Sequence, residues 1–267
     1  MDIYHILGYL GAVLTGLVLG LMGGGGALLS VPVIYYLFKY DMPTATAYSM
    51  FLVGVAASSG AVQNIRKGLV HYKTALWYGI PSLITVFLVR SLVIPAIPKV
   101  IFSIGGFTLD KDHLILFVLA IVILLASYKM IKGGAAPEQP EPVHATHYPR
   151  LIPYAIGVGA FLGLVGAGGG FLMIPALVHF ANLDMRRAVG TSLVLVAVNS
   201  FVGFAGDLSH SPNLNWLFLA AFSACSVAGV FVGHYLAGLI DGQRMKVYFG
   251  WLMLAIGVFI VVKELLR

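Results

Sequence analysis

The chain has 267 residues, of which 60% are hydrophobic and only 10% are charged, and its mean hydropathy is +0.96. A soluble globular domain carries about 25% charged residues, so this composition excludes that class. The net charge of +6 does not point to nucleic acid, because membrane proteins concentrate Lys and Arg in their cytoplasmic loops. The single cysteine excludes an intramolecular disulfide and two-thiol relay chemistry.

Long apolar runs, uncharged except for Lys246 in the last of them, recur along the whole chain. They cover residues 6–38, 42–65, 74–89, 114–128, 151–183, 188–206, 214–233 and 245–262. About 20 residues of helix cross a hydrocarbon core of about 30 Å, and several runs reach that length. The sequence therefore predicts an all-α polytopic membrane protein.

Two of these runs are interrupted by glycine clusters, "GLMGGGGALLSVP" at residues 20–32 and "GLVGAGGGFLMIP" at residues 163–175. Glycine weakens a helix by about 1 kcal/mol per residue relative to alanine, so each cluster predicts a break. Residues 27–38 would form a helix of about 18 Å at about 1.5 Å per residue, which is too short to cross alone. We expect glycine turns at membrane depth, which are tolerated where they are buried in protein or line a wet cavity.

The two glycine clusters belong to a duplicated unit. Residues 20–64 align without a gap on residues 163–207, and 15 of the 45 positions are identical. Between the copies, residues 133–149 carry four prolines and two glutamates, a composition typical of an exposed linker. The sequence thus predicts an N-terminal repeat (1–132), a linker (133–149) and a C-terminal repeat (150–267).

The distribution of charge favours inverted over parallel repeats. If each glycine-broken stretch crosses once, Lys and Arg divide eight to eight between the two sides of the membrane. If each is a hairpin or re-entrant segment followed by three spans, they divide ten to six. Because cytoplasmic loops carry the excess, we expect two homologous inverted repeats. The side with ten, which includes the linker, Lys67 and Arg187, is predicted to be cytoplasmic.

Candidate site residues follow from the glycine breaks. In inverted halves the N-termini of the two short helices are expected to converge near the midplane, where free N–H groups and a partial positive charge suit an anion. The residues predicted to bind substrate are the glycines of both clusters with hydroxyl and amide side chains of the following helices: Gly23, Gly24, Gly25, Gly26, Ser49, Gln63, Asn64, Gly166, Gly168, Gly169, Gly170, Thr191, Ser192 and Asn199. Three alternatives stay open: the glycines serve close helix packing, the hydroxyls cap helices, and the amides join helices.

Four ionisable residues within or beside apolar stretches are candidates for an anion vestibule or for proton coupling: Arg90, His179, His234 and Asp207. Intramembrane ionisable residues are functional candidates by default. Arg90 is expected near the far interface, where it either extends toward water or attracts anions. Asp207 is expected at a helix end. No metal site and no cofactor are predicted.

The segment "GLVGAGGGFLMIPALVHFANLDMRRAVGTSL", residues 163–193, resembles the signature of the sulfite exporter TauE/SafE family. It has a glycine cluster, a proline after an aliphatic run, and Ala-x-Gly-Thr-Ser at the start of the next helix. The first half is similar but has Ala47 and Tyr48 where the second half has Gly190 and Thr191. The resemblance covers nearly the whole chain. It implies a multi-pass carrier of a bacterial-type inner membrane that exports sulfite or small organosulfur anions.

Export of small sulfur anions by alternating access is the leading hypothesis. An anion channel is the nearest alternative, because broken helices also line filters. A membrane enzyme is disfavoured, because the chain has no His-Glu-x-x-His, no Gly-x-Ser-x-Gly and no paired intramembrane aspartates. A purely structural bundle would not need two symmetric breaks. The expected partners are a small anion and the lipid bilayer, not nucleic acid, and a homo-oligomer is allowed.

Overall fold

The structure is a computed structural model, and the residues it describes are almost entirely helical. These residues are 3–23, 26–98, 100–104, 107–132, 148–166, 169–208, 214–237 and 242–265. The predicted linker therefore lies outside the described residues, except that a helix already begins at Tyr148, inside its predicted end.

The described helices form two sets of five, one on each side of the linker. The first set is α1 (Ile3–Met22), α2 (Ala27–Leu37), α3 (Met42–Arg66), α4 (Tyr72–Ala96) and α5 (Lys111–Lys132). The second set is α6 (Tyr148–Val165), α7 (Gly170–Ala181), α8 (Met185–Leu208), α9 (Trp216–Leu236) and α10 (Gly242–Leu265). Helices at the same place in the two sets, such as α3 and α8, are called equivalent below.

Six of the described helices are long and apolar enough to cross a membrane, namely α1, α3, α4, α5, α8 and α9. The short helices α2 and α7 have 11 and 12 residues, so at about 1.5 Å per residue neither crosses a core of about 30 Å. The prediction of a polytopic helical membrane protein is confirmed.

Two described elements are β-strands, so the expectation of a purely α-helical chain is wrong at this point. Strand β1 (Val100–Ile104) pairs antiparallel with β2 (Phe107–Asp110) in the connection between α4 and α5. The signal was present in the sequence, since β-branched and aromatic residues flank a Gly-Gly pair at 105–106, which is a typical hairpin pattern.

Each glycine cluster reverses the chain, as the predicted break requires. Gly23 and Gly166 have φ angles of 70° and 71°, a left-handed conformation that glycine adopts without steric cost. After Gly23, α2 returns along α1, and Phe38 beyond its end reaches the ring of His5. After Gly166, α7 returns along α6 and brings Phe180 against the ring of Tyr154. Both breaks are hairpins.

The first helix of each half packs against the fourth helix of the other half, so that α1 contacts α9 and α4 contacts α6. The backbones touch along glycines. A Cβ atom on Gly16 or Gly20 would overlap the backbone of α9, and one on Gly229 or Gly233 would overlap that of α1. This is the small-residue packing by which membrane helices approach closely.

The centre of the bundle is the pair α3 and α8. Their apolar windows are 72% and 67% buried, against 33–44% for the other four candidate spans. Gly54, near the middle of α3, faces Phe201 of α8, and Gly60, nearer the end of α3, faces Leu193, nearer the start of α8. The two helices therefore run antiparallel.

The last helices of the two halves, α5 and α10, also pack against each other. Gly250 faces Ile131 and Gly257 faces Leu124, so this pair is antiparallel as well. In both pairs, equivalent helices of the two halves run in opposite directions.

Two connections cross between the halves at the ends of the α3–α8 pair. His71, which precedes α4, donates its backbone N–H to Thr191 Oγ1 near the start of α8 at 3.0 Å. Asn215, which precedes α9, donates its backbone N–H to the Tyr48 hydroxyl near the start of α3 at 2.7 Å. The connection after α3 and the start of α8 therefore lie at the same end of the pair.

Candidate functional site

The two glycine turns lie at opposite ends of the α3–α8 pair. Gly23 lies against Val189 in the first turns of α8, and Gly166 lies against Thr46 in the first turns of α3. Because α3 and α8 are antiparallel, their starts are separated by most of the length of α8, which has 24 residues and is roughly 36 Å long at about 1.5 Å per residue. The expected convergence of the turns near the midplane is therefore wrong. With 20 residues, or about 30 Å, α1 carries its turn across the bundle rather than to its middle.

Eight of the predicted site residues accordingly fall into two groups. We call Arg90, Gly166 and Asp207, together with Thr46, which was not predicted, the Arg90 cluster. We call Gly23, Asn64, Thr191, Ser192 and His234 the His234 cluster.

The Arg90 cluster contains a buried ion pair between the halves. Arg90 Nη1 donates to Asp207 Oδ2 at 2.8 Å and to Thr46 Oγ1 at 3.0 Å. The Arg90 side chain is 1% exposed and that of Asp207 is 9% exposed. Among the described residues, Arg90 Nε and Nη2 have no hydrogen-bond partner. One edge of the guanidinium group, at Nη1, is therefore hydrogen-bonded, and the other edge, formed by Nε and Nη2, is unoccupied. The group lies beneath the Gly166 turn.

Arg90 is 1% exposed, so the expectation that it extends to water is wrong. Residues Val89–Val93 form a π-helical turn within α4, and this wider turn shifts the phase of the helix at Arg90. The side chain enters the bundle, where its Cβ lies close to Gly206 of α8. π-Helical turns of this kind are frequent at functional sites. Asp207 lies in the last turn of α8 as expected, but its pairing with Arg90 was not anticipated.

The His234 cluster places an amide where the other end has a carboxylate. Asn64 occupies the position in the first repeat that Asp207 occupies in the second. Its Nδ2 donates to the Gly60 carbonyl at 2.9 Å and lies 3.3 Å from His234 Nε2. The structure thus joins two of the predicted residues, one from each half, by a hydrogen bond in place of an ion pair.

The predicted hydroxyl ligands all contact protein groups. Ser192 Oγ lies at hydrogen-bonding distance from the Gly23 carbonyl, 3.1 Å, and from the Val189 carbonyl, 2.9 Å. Ser49 Oγ lies 2.5 Å from Ser30 Oγ of α2. Thr191 and Tyr48 hold the residues that precede α4 and α9. Tyr48 occupies the position in the first half that Thr191 occupies in the second, and it also provides a hydroxyl acceptor.

The remaining predicted residues lie apart from the two clusters or next to one of them. Asn199 Nδ2 donates to Ser82 Oγ at 2.9 Å and joins α8 to α4, while its buried Oδ1 has no partner among the described residues. Gln63 precedes Asn64 and is half-buried. His179 is exposed on α7. Gly24, Gly25 and Gly168 lie outside the described residues.

Gly26 and Gly169 precede the short helices, and Gly170 opens the second of them. A Cβ atom on Gly26 would overlap the Thr15 carbonyl, and one on Gly169 would overlap the Leu162 side chain. The space beside both glycines is filled by α1 and α6. Close packing, the alternative left open for the glycines, therefore accounts for these two positions in this structure.

A third polar contact was missed from the sequence. Glu264 of α10 accepts from the Tyr36 hydroxyl of α2 at 2.9 Å and lies 3.3 Å from His113 Nε2 of α5. Lys263 Nζ lies 4.0 Å from the centre of the Tyr36 ring. These residues are far apart in the chain. The only signal for this contact in the sequence was the charge of Glu264 beside a long apolar run.

Residues 8–260 match the family described as Sulfite exporter TauE/SafE. The chain belongs to the TauE/SafE family. The resemblance seen in residues 163–193 is thereby confirmed, and the protein is a transmembrane transporter of this family.

Relatives of this TauE/SafE chain carry the same general description. A probable membrane transporter protein of Xylella fastidiosa (strain Temecula1) is 27% identical over 257 residues, which cover 93% of this chain and 91% of the relative. The probable membrane transporter protein YdhB of Bacillus subtilis (strain 168) is 25% identical, covering 87% of this chain and 90% of the relative. No solved structure matches the chain.

Proposed function

We propose that this chain is a carrier that exports small sulfur oxyanions, sulfite or organic sulfonates, across the bacterial inner membrane by alternating access between two inverted halves. The substrate class rests on the family description, Sulfite exporter TauE/SafE. The buried Arg90 places a positive charge, with two N–H donors that have no partner among the described residues, inside an otherwise apolar bundle, which is a suitable environment for an anion.

The observation that carries the proposal is the antiparallel packing of equivalent helices. Parallel repeats are related by an axis along the membrane normal, so their equivalent helices would run in the same direction. Here α3 opposes α8 and α5 opposes α10. Inverted halves with broken helices at equivalent positions are the architecture of many secondary transporters.

The orientation of the halves follows from the same contacts. The start of α8 contacts the connection after α3, through Thr191 and His71. Lys67 and Arg187 therefore lie at one end of the bundle, and the excess of Lys and Arg makes that end cytoplasmic. The linker follows α5 in the sequence, and we propose that it is cytoplasmic as well.

Labelling tests this orientation. With Cys225 replaced, single cysteines at positions 67, 187 and 211 are exposed to an impermeant thiol reagent from each side of the membrane. We expect 67 and 187 to react from the cytoplasmic side and 211 from the other. Reaction of 67 and 187 from opposite sides would contradict the inverted arrangement.

Flux separates the carrier from its alternatives. Proteoliposomes that contain the purified chain are loaded with unlabelled sulfite, and uptake of labelled sulfite is followed against protein-free liposomes. A carrier gives saturable uptake that internal sulfite accelerates. A channel instead gives an ohmic current, and an enzyme gives product without flux.

A further inference from the structure

The unoccupied edge of Arg90 points to the part of the protein that holds the anion. Its Nη1 is engaged by Asp207 and Thr46, whereas Nε and Nη2 have no partner among the described residues. The side chain is 1% exposed, so bulk water does not satisfy those donors. A buried charged donor without an acceptor is costly, and an incoming acceptor would relieve that cost.

We propose that Nε and Nη2 of Arg90 bind the exported oxyanion as a bidentate pair, with Asp207 as the resident counter-ion on the opposite edge. This assignment rests on the proposed transport of sulfur oxyanions. A guanidinium presents two parallel N–H groups that match two oxygens on one central atom. Sulfite and sulfonate groups have such oxygens, whereas chloride has none and cannot span the fork.

The Gly166 turn is the cover of this site. A Cβ atom on Gly166 would overlap Arg90 Nη2 and Thr46, so the turn lies directly on the free edge in this structure. Displacement of the turn, which belongs to the other half of the chain, would uncover the two donors. The anion site and the break in the helix are thus parts of one arrangement.

Binding to the purified chain in detergent tests the assignment independently of transport. The unfolding temperature is measured against increasing sulfite under anaerobic conditions, then methanesulfonate, and sodium chloride at matched ionic strength. A ligand that binds only the folded state raises this temperature in a concentration-dependent way. We expect sulfite and methanesulfonate to raise it and chloride to leave it unchanged.

Four proteins are compared. Arg90→Lys keeps the charge but removes the fork, and we expect its affinity for both anions to fall at least tenfold. The double variant Arg90→Gln with Asp207→Asn leaves no uncompensated charge, so it is expected to fold and to bind neither anion. Arg187→Gln is the matched control, because its side chain is 56% exposed, and it should bind like the unmodified chain.

The assignment is overturned if Arg90→Lys and the folded double variant bind sulfite within twofold of the unmodified chain. It is also overturned if chloride stabilises the chain as sulfite does. Uptake by proteoliposomes distinguishes failure of this assignment from failure of the proposed function. If the unmodified chain takes up sulfite saturably and the Arg90 variants do so equally well, the carrier proposal stands and only the assignment of Arg90 is wrong.

Discussion

The two ends of the α3–α8 pair share one backbone plan and differ in chemistry. At one end Arg90 and Asp207 form a buried ion pair beside one glycine turn. At the other end Asn64 and His234 are joined by a hydrogen bond near the other turn. Asn64 and Asp207 occupy equivalent positions, so the duplication preserved the helices while the side chains of the polar pair changed its charge. The repeat determines where the helices lie, and residues specific to each half determine the chemistry of each end.

The largest expected contrast comes from truncating the two equivalent side chains. Asp207→Ala leaves the Arg90 guanidinium buried without its counter-ion, and breaking such a pair costs about 3–5 kcal/mol. Asn64→Ala removes neutral hydrogen bonds and should cost about 1 kcal/mol. The free energy of unfolding of both variants is measured in the same detergent. Equal losses would mean that the ends are energetically alike.

A smaller contrast is expected between the two turns. Alanine at a left-handed position costs about 1–2 kcal/mol, which applies to Gly23 and Gly166 alike. At Gly166 the new methyl would also lie 2.8 Å from the Thr46 Cα atom, which is backbone, whereas at Gly23 it meets a side-chain methyl of Val189 at 2.6 Å. We therefore expect Gly166→Ala to be less stable than Gly23→Ala by about 1–3 kcal/mol.

The matched control for both turns is Gly157→Ala. Gly157 lies in α6, and among the described residues no atom outside its own stretch of helix lies within 4 Å of the position that its Cβ would occupy. Alanine favours a helix over glycine by about 1 kcal/mol, so this variant should be unchanged or more stable. Thermal unfolding of the three variants decides the order, and a Gly23→Ala variant at least as damaged as Gly166→Ala would refute it.

A third pair of substitutions should give equal effects at the two ends. Thr191→Val removes the acceptor for the backbone N–H of His71, and Tyr48→Phe removes the acceptor for that of Asn215. Each lost hydrogen bond is expected to cost about 1 kcal/mol. Denaturant titrations compare the two, and a loss at only one end would show that the hydroxyls are not equivalent.

The smallest effect is expected from an ion pair on the surface. Arg187 Nε lies 3.5 Å from Asp184 Oδ1, and the two side chains are 56% and 60% exposed. Water screens such pairs, so Arg187→Gln should change the free energy of unfolding by less than about 0.5 kcal/mol. If Arg187→Gln lowered the free energy of unfolding as much as Asp207→Ala does, burial could not be the reason why the two ion pairs differ.

The sequence predicted the features of the fold that depend on nearby residues. Apolar runs of sufficient length predicted the helices, and the glycine clusters predicted the breaks at Gly23 and Gly166. The first short helix, expected over residues 27–38, spans Ala27–Leu37. These signals are local, since hydropathy and glycine conformation act over a few residues.

Contacts between distant residues were not predictable in the same way. Arg90 and Asp207 are separated by 117 positions, and nothing in the sequence around either residue indicates the other. Counting residues along α4 placed Arg90 near an interface, but the π-helical turn changed the direction of its side chain. The depth of the glycine turns was misjudged because it depends on how α1 packs against α9, which only the folded arrangement reveals.

The glycine-lined contact of α1 with α9 determines which parts of the molecule can move together. Where two backbones touch, a relative shift of one residue replaces a glycine by a larger side chain and the helices collide. This pair is therefore expected to behave as a stiff unit that contains one helix from each half. Rearrangements that open the interior would slide this unit along α3 and α8, so the mechanical division of the protein does not coincide with the duplication in its sequence.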